Sequence, residues 1–390
     1  MRKISNPLIV VLIVIATAGV NSPAQNALGQ TSAAAPHLAA TSSAVVSTSI
    51  ATTSPATQAV INSLSSLPEA DTLIYINPQR ILNEALPKLL PAKDVEGMRK
   101  SFEEARKSAG IDPTKIDYIV LAVRFKKPTA DLHFQAPEFM VVASGDFSAD
   151  SLLGLARIAS QGKLRDEKYA DKTLALMTID PIVKEAEKNP FLKAFSEAGI
   201  VSLNGNTIAA GTPGYLRAAI DAGSGKDRIN TATLNSLVRD TNALISMAGK
   251  PWQSFAKSFG MLGTEANARA PRCESNIGDF YAALTMDATN FMIRGVSNAD
   301  NPDTAKIIAN LYSGLLQYAT SSIPDPSAQS LLKGLAIAAE GDEVLLRADF
   351  PQQMLIDLVQ QKMKPKPIEA KAEEPPVKPV VKRRRTRRRH

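Results

Sequence analysis

The chain has 390 residues, enough for two core-forming domains. A single cysteine, Cys273, excludes an intramolecular disulfide and a thiolate metal site, and three histidines (His37, His133, His390) leave little room for imidazole chemistry. The net charge of +7 is unevenly placed: residues 362–390 hold 12 Lys or Arg against 3 Glu, Arg2 and Lys3 add two positives, and residues 4–361 are left at −4.

The N-terminus reads as an export signal. Arg2 and Lys3 precede a 13-residue apolar run, Leu8 to Val20, and Ser22-Pro23-Ala24 supplies small residues for cleavage. A spanning helix needs about 20 apolar residues, so residues 1–24 are expected to be a signal peptide and no permanent membrane span is expected. Residues 25–55 are mostly Ala, Ser and Thr, with no charge between Lys3 and Glu69. Such a segment cannot bury enough apolar area to offset chain entropy, so a disordered spacer is expected.

Ala56 to Leu67 predicts a lead-in helix, and Thr72 to Asn77 a first strand. Pro78 opens a short helix that Pro87 is expected to break. Asp94 is expected to cap a longer helix with one narrow stripe, Val95, Met98, Phe102, Ala105 and Ala109. Two strands follow, Asp117 to Phe125 and Glu138 to Phe147, joined by the loop that holds His133. Ser148 caps a helix, Leu164 to Tyr169 and Thr173 to Ile179 form a hairpin, and Asp180-Pro181 and Asn189-Pro190 start two helical turns.

Gly199 to Gly223 reads strand, turn, strand, helix. Asn204-Gly205 lies between Val201, Leu203 and Ile208, a strong hairpin signal in which both central residues take positive φ. Thr212-Pro213 then starts a helix with Leu216, Ala219 and Ile220 on one face. Leu335 to Val359 repeats the plan, with the turn at Gly341-Asp342 and Pro351 opening the helix. The second half restarts near Thr241: a strand at Ala243 to Ala248, a helix opened by Pro251, and an irregular loop from Gly260 to Ile277. It continues with a hairpin of Asp279 to Met286 and Asn290 to Ser297, and a helix from Pro302 to Ser321. Ile307, Ile308, Leu311, Leu315 and Tyr318 form that helix's apolar side, and Asp325-Pro326 begins another.

Hairpin-joined strands interleaved with helices imply an α+β fold of mainly antiparallel sheets with helices on one face. Two related domains are expected, residues 56–223 and a shorter 241–361, joined by a linker or helix over 224–240. Over roughly residues 66–361 this order of strands and Pro-started helices resembles uncharacterised exported bacterial proteins built from duplicated α+β units. The resemblance implies no activity and no site residues.

The search for chemistry is largely negative. His133 has no partner at ligand spacing, and no G-x-S-x-G elbow occurs. Gly223-Ser224-Gly225-Lys226 resembles the end of a phosphate loop, but Ile220 and Asp227 occupy positions that need Gly and Ser or Thr. Glu103-Glu104 reads as a solvated helix face, and Asp300, Asp303, Asp325 and Asp342 as turn and cap residues. Trp252 is the only Trp and aromatics total 5%, a poor basis for a sugar-stacking platform. The charged loop from Gly260 to Ile277 reads as a surface insertion. No catalytic, metal or cofactor site is expected.

Residues 362–390 form a Pro- and Lys-rich disordered tail that ends in Lys382, Arg383, Arg384, Arg385, Arg387, Arg388 and Arg389. Seven positive charges in nine residues will seek polyanions. Behind an export signal, the expected partner is an anionic lipid surface or envelope polymer. The expected function is a non-enzymatic exported cell-envelope protein, a binding or structural body with this basic tail. Alternatives are a secreted hydrolase with an Asp/Glu site between the domains, and a nucleic-acid-binding protein if the N-terminus is not an export signal.

Overall fold

The computed structural model describes residues 55–109, 112–125, 137–179, 196–250, 277–323 and 326–363. Its strands are β1 (Thr72–Ile76), β2 (Ile116–Arg124), β3 (Glu138–Gly145), β4 (Leu164–Tyr169), β5 (Lys172–Thr178), β6 (Glu197–Asn204), β7 (Thr207–Gly211), β8 (Ile245–Gly249), β9 (Ile277–Met286), β10 (Asn290–Ala299), β11 (Ala336–Glu340) and β12 (Glu343–Pro351). They form one 12-stranded sheet in the order β11-β12-β10-β9-β8-β1-β2-β3-β7-β6-β5-β4. Every neighbouring pair is antiparallel. The mixed fold with antiparallel pairing matches expectation, whereas the two separate sheets expected of two domains are here one.

The reason lies at β1 and β8. TLIYI and ISMAG are short and uncharged, and each is flanked on one side only by strands of its own half. Left open, each would present a row of unpaired main-chain groups to solvent. They pair with each other instead, from Thr72 opposite Gly249 to Ile76 opposite Ile245. Gly249 sits at the end of this seam with φ 137°, and a Cβ there would lie 2.2 Å from the Asp71 carbonyl oxygen. Lys250 N–H donates to the same oxygen at 2.7 Å.

The sheet's covered face switches at β8. Ala248 belongs to the first core, with Leu73, Val120, Met140, Leu174, Leu176 and Val201. Ile245, three residues earlier, packs with Leu284, Phe291, Ala348 and Phe350 in another core. An odd separation along a strand puts these two residues on opposite faces. Helices therefore lie mainly on one face in each half, but the two faces differ.

Core membership also ignores the division read from sequence. α1 (Pro55–Leu64), α6 (Pro213–Gly223) and α7 (Thr231–Leu237) supply Leu64, Tyr215, Leu216, Leu234 and Leu237 to the first core. Thus the 224–240 segment does more than connect, since Leu234 and Leu237 are fully buried and each contributes on the order of 2 kcal/mol. In the other direction, the helical turns after β1 cross to the second half. α2 (Pro78–Arg80), a π-helical turn (Ile81–Ala85) and α3 (Leu86–Leu89) place Ile81, Ala85 and Leu89 beside Leu244, Leu284 and Phe291. Pro87 does not break this helix. Leu86 N–H reaches back five residues to Ile81 O, and this wider turn carries the helix up to a residue that has no N–H to donate.

The remaining helices are α4 (Ala92–Ala109), α5 (Ala149–Ala159), α8 (Pro302–Ser322), α9 (Pro326–Lys333) and α10 (Gln352–Met363). α4 starts two residues before Asp94, and Val95, Met98 and Phe102 are only half-buried. Ser148 caps α5 by accepting from Ser151 N–H, and Asn301 caps α8 by accepting from Thr304 N–H. Thr212 leaves α6 uncapped and donates instead to the Phe139 carbonyl. The β6–β7 hairpin forms, but its turn is one residue later than expected, at Gly205-Asn206, with Asn204 opposite Thr207. Neither turn residue has positive φ, and a bulge between Ser202 and Asn204 absorbs the twist. The β11–β12 turn does use positive φ, at Gly341 (62°). The expected signal peptide, the expected spacer up to residue 54, the helical turns expected at 180–195, the helix expected at Pro251 and the tail from residue 364 lie outside the described residues.

Gly249→Ala tests the seam. A Cβ against the Asp71 main chain must push β1 and β8 apart, so the substitution should cost more than ~1 kcal/mol in urea unfolding. An unchanged midpoint would mean that the pairing tolerates the displacement and does not carry the sheet.

Candidate functional site

The sequence candidates do not converge. Lys382, Arg383, Arg384, Arg385, Arg387, Arg388 and Arg389 lie outside the described residues, as do His133, Trp252, Cys273, Asp325 and the loop to residue 276. Glu103 and Glu104 are exposed on α4. Asp303 pairs with Lys306 at 3.2 Å on the exposed first turn of α8. Gly225 has φ 99° in a turn after α6, where Lys226 meets Asp221 at 3.6 Å. Among the described residues no three His, Cys, Asp or Glu side chains gather to hold a metal. Among them, no helix is long and apolar enough to cross a membrane.

Two local arrangements stand out, and sequence reading found neither. The first is a charged clamp. Arg124 on β2 lies directly opposite Glu138 on β3 and donates to its Oε2 from Nε at 3.0 Å and from Nη2 at 2.5 Å. The guanidinium also lies 4.5 Å from the centre of the Tyr215 ring. Tyr215 donates its hydroxyl to Glu69 O at 3.0 Å, and Asp71 Oδ2 accepts from Phe125 N–H at 2.7 Å. The Glu138 carboxylate is buried against Gly214 at the start of α6, where the helix dipole favours negative charge. Burial is the chief reason that the Tyr215 hydroxyl is held above the usual tyrosine range, against the lowering effect of Arg124. These contacts fasten α6 to β2, β3 and the segment that leads into β1.

The second is the margin formed by α8, α9 and β11. α8 has two apolar faces. Ala305, Ile308 and Ala309 face the sheet, where small side chains let the helix lie close. Ile307, Leu311 and Tyr318 face solvent, with 47%, 40% and 64% of their surfaces exposed. The single apolar side expected from sequence is thus split in two, because a 21-residue helix with both sets offers no periodicity that selects one. Beside the stripe, α8, α9 and β11 enclose a groove of about 620 Å³ whose lining includes Ser313, Gln317, Thr320, Gln329, Lys333 and Leu335. Hydroxyl and amide groups next to an apolar stripe suit recognition of a surface. A smaller hollow of about 460 Å³ is lined by Asp150, Arg157, Asp171, Lys172, Ser202 and Asn204. There Arg157 is engaged by Asp166 at 2.9 Å.

No protein-family model and no curated protein matches the chain. Among solved structures it is similar to crystal form III of TP0453, with a TM-score of 0.39 and 11% identity over 76% of this chain and 97% of that one. Crystal form IV of TP0453 gives a TM-score of 0.38 and 10% identity over 78% and 99%.

Two measurements probe the clamp and its surroundings. Glu138→Ala leaves Arg124 without its partner and should cost on the order of 3 kcal/mol; a change within ±0.5 kcal/mol in urea unfolding would make the pair dispensable. Tyrosines give an alkaline limit. Burial, chiefly, pushes the Tyr75 hydroxyl up to about 12 and raises those of Tyr215 and Tyr281 as well. In the unfolded chain they ionise near ~10, so the folded state holds more protons above that pH. Their stabilising contribution is complete below about pH 10 and is lost as the pH rises toward about 12. Melting temperature should fall over that interval, together with delayed tyrosinate absorbance; tyrosine ionisation at pH 10 in the folded protein would contradict it.

Proposed function

We propose that the chain is a non-enzymatic protein of the cell envelope, exported through its N-terminal signal, with a folded body that binds or supports another envelope component. The basic cluster at Lys382, Arg383, Arg384, Arg385, Arg387, Arg388 and Arg389 holds that body near an anionic lipid or polymer surface. The observation that carries this reading is the separation of charge: about +9 in residues 362–390 against −4 in residues 4–361. Each basic residue near an anionic membrane contributes on the order of 1 kcal/mol, decaying within a Debye length. The direct pairing of β1 with β8 supports this reading over a hydrolase, because it joins the halves where an inter-domain carboxylate pair would have to sit.

We also propose that the two halves are diverged copies. Outward from the seam, one half runs β1-β2-β3-β7-β6 and the other β8-β9-β10-β12-β11, and the first half then adds β5 and β4. Phe139-Met140 and Phe291-Met292 open equivalent strands β3 and β10. The copies differ at their last helices: α6 packs in the first core and α10 in the core on the other face.

The test is co-sedimentation with native envelope fractions at low and high salt. The full chain should pellet at low salt and be released by high salt, and a variant with all seven basic residues changed to Gln should stay soluble. Equal pelleting of both proteins would move the partner-binding role to the folded body, and failure of both to pellet would end the envelope reading.

A further inference from the structure

The sheet ends in β4 on one side and β11 on the other. β4 reads LRDEKY, and Arg165, Asp166, Glu167 and Lys168 blunt it in the way that edge strands are ordinarily protected. β11 reads AIAAE and carries charge only at Glu340, its last residue. Among the described residues it pairs only with β12. The two-residue Gly341-Asp342 turn makes Glu340 and Glu343 the hydrogen-bonded closing pair. Antiparallel alternation then turns the main-chain N–H and C=O groups of Ile337 and Ala339 outward, away from β12.

The exposed stripe of α8 lies at this same margin. α8 packs over β11 through Ala305, Ile308 and Ala309, with Ile337 and Ala339 beneath them. Its Ser313, Leu316, Gln317 and Thr320 face the groove toward α9 and β11. α9 is inboard, since its Leu331 packs with Ala348 and Phe350. Helical spacing therefore turns Ile307, Leu311 and Tyr318 away from the sheet and from α9, past the edge strand. No charged residue occurs from Ile307 to Ile323. Gly314 falls on the stripe, and a Cβ there would meet nothing within 4 Å, so another helix could come close. A helix that is apolar on both sides belongs between two layers, and α8 has one.

We propose that this margin is the interface of a homodimer. β11 pairs antiparallel with β11 of a second copy about a two-fold axis at Ala338, and the two α8 stripes pack across the same axis. A second copy fits because the α8 stripe from Ile307 to Tyr318 and the β11 edge from Ala336 to Ala339 carry no charge. On a two-fold axis each patch meets itself, so a charged patch would repel its mate while this one does not. Size points to both elements acting together. A stable interface buries roughly 800 Å² per partner; three exposed side chains on α8 provide only part of this, and the open strand edge provides the rest. Ala338 would face its own counterpart in a non-hydrogen-bonded pair, with Cβ atoms about 4.5–5.5 Å apart.

Sedimentation equilibrium of the full chain at ~1–100 μM, below and above the micromolar range of modest dimers, should give twice the chain mass at the upper end. Ala338→Lys and, separately, Ile307→Glu with Leu311→Glu should each halve that mass, with circular dichroism and melting unchanged. Because a charged variant could lose mass by misfolding, a third protein carries Ala338→Cys on a Cys273→Ser background. Under mild oxidation it should form a covalent dimer without loss of secondary structure. A single-chain mass at every concentration overturns the proposal, as does a dimer that survives both charge variants and yields no link through residue 338. A stripe variant that loses envelope pelleting while the native chain is monomeric also overturns it, in favour of a direct surface contact. The inference is independent of the basic tail: the Gln-substituted tail should still dimerise.

Discussion

The antiparallel pairing of β1 with β8 is the constraint on which the architecture rests. Five residue pairs join segments about 170 residues apart, and through them two modest sheets become one. The loop-closure entropy of bringing such distant segments together grows only slowly with length. What it secures is large, since both inner strands lose an open edge at once. The same seam explains Gly249: main chain meets main chain there at a distance that admits no side chain.

Once the sheet is continuous, its two halves need not be covered alike. The first half is packed chiefly on one face by α1, α6 and α7, and the second on the other by α8, α9, α10 and the helical turns that cross over after β1. The other face of the second half carries a small apolar cluster of Ala243, Tyr281, Ala283 and Val296, and further out two ion pairs, Arg294 to Asp349 at 2.6 Å and Arg347 to Glu340 at 3.3 Å. These exposed pairs stabilise little individually, but they keep two cross-strand arginines, Arg294 and Arg347, from facing each other unneutralised. The clamp of Arg124, Glu138 and Tyr215 does a different job. It is shielded, and it pins α6 where the sheet begins its first half.

Local chemistry was legible in the sequence, and long-range choices were not. Prolines at 78, 213, 302 and 326 do begin helices, and the strand–turn–strand–helix unit at Gly199–Gly223 and its later copy are both present. The hairpin at Asn204 is real although its turn is displaced by one, because a bulge can substitute for positive φ. The seam was missed because no local pattern says which distant strand will cover an edge; the hint was the lack of charge in TLIYI and ISMAG. The outward face of α8 was misassigned because Ala305, Ala309 and Ile308 compete with Ile307, Leu311 and Tyr318 at the same period, and contact with β11 decides between them. The clamp left no spacing signal, since the register of β2 and β3 sets Arg124 opposite Glu138.

The crossing of the core has a consequence in time. The first core includes Leu234, Leu237 and Ala248, so a growing chain cannot complete it until about residue 250 is free to fold. β1 must wait equally long for its second neighbour, with one apolar edge uncovered meanwhile. Such a chain gains little by folding as it is made. It is suited to assembly in one late cooperative step, after both halves have been made.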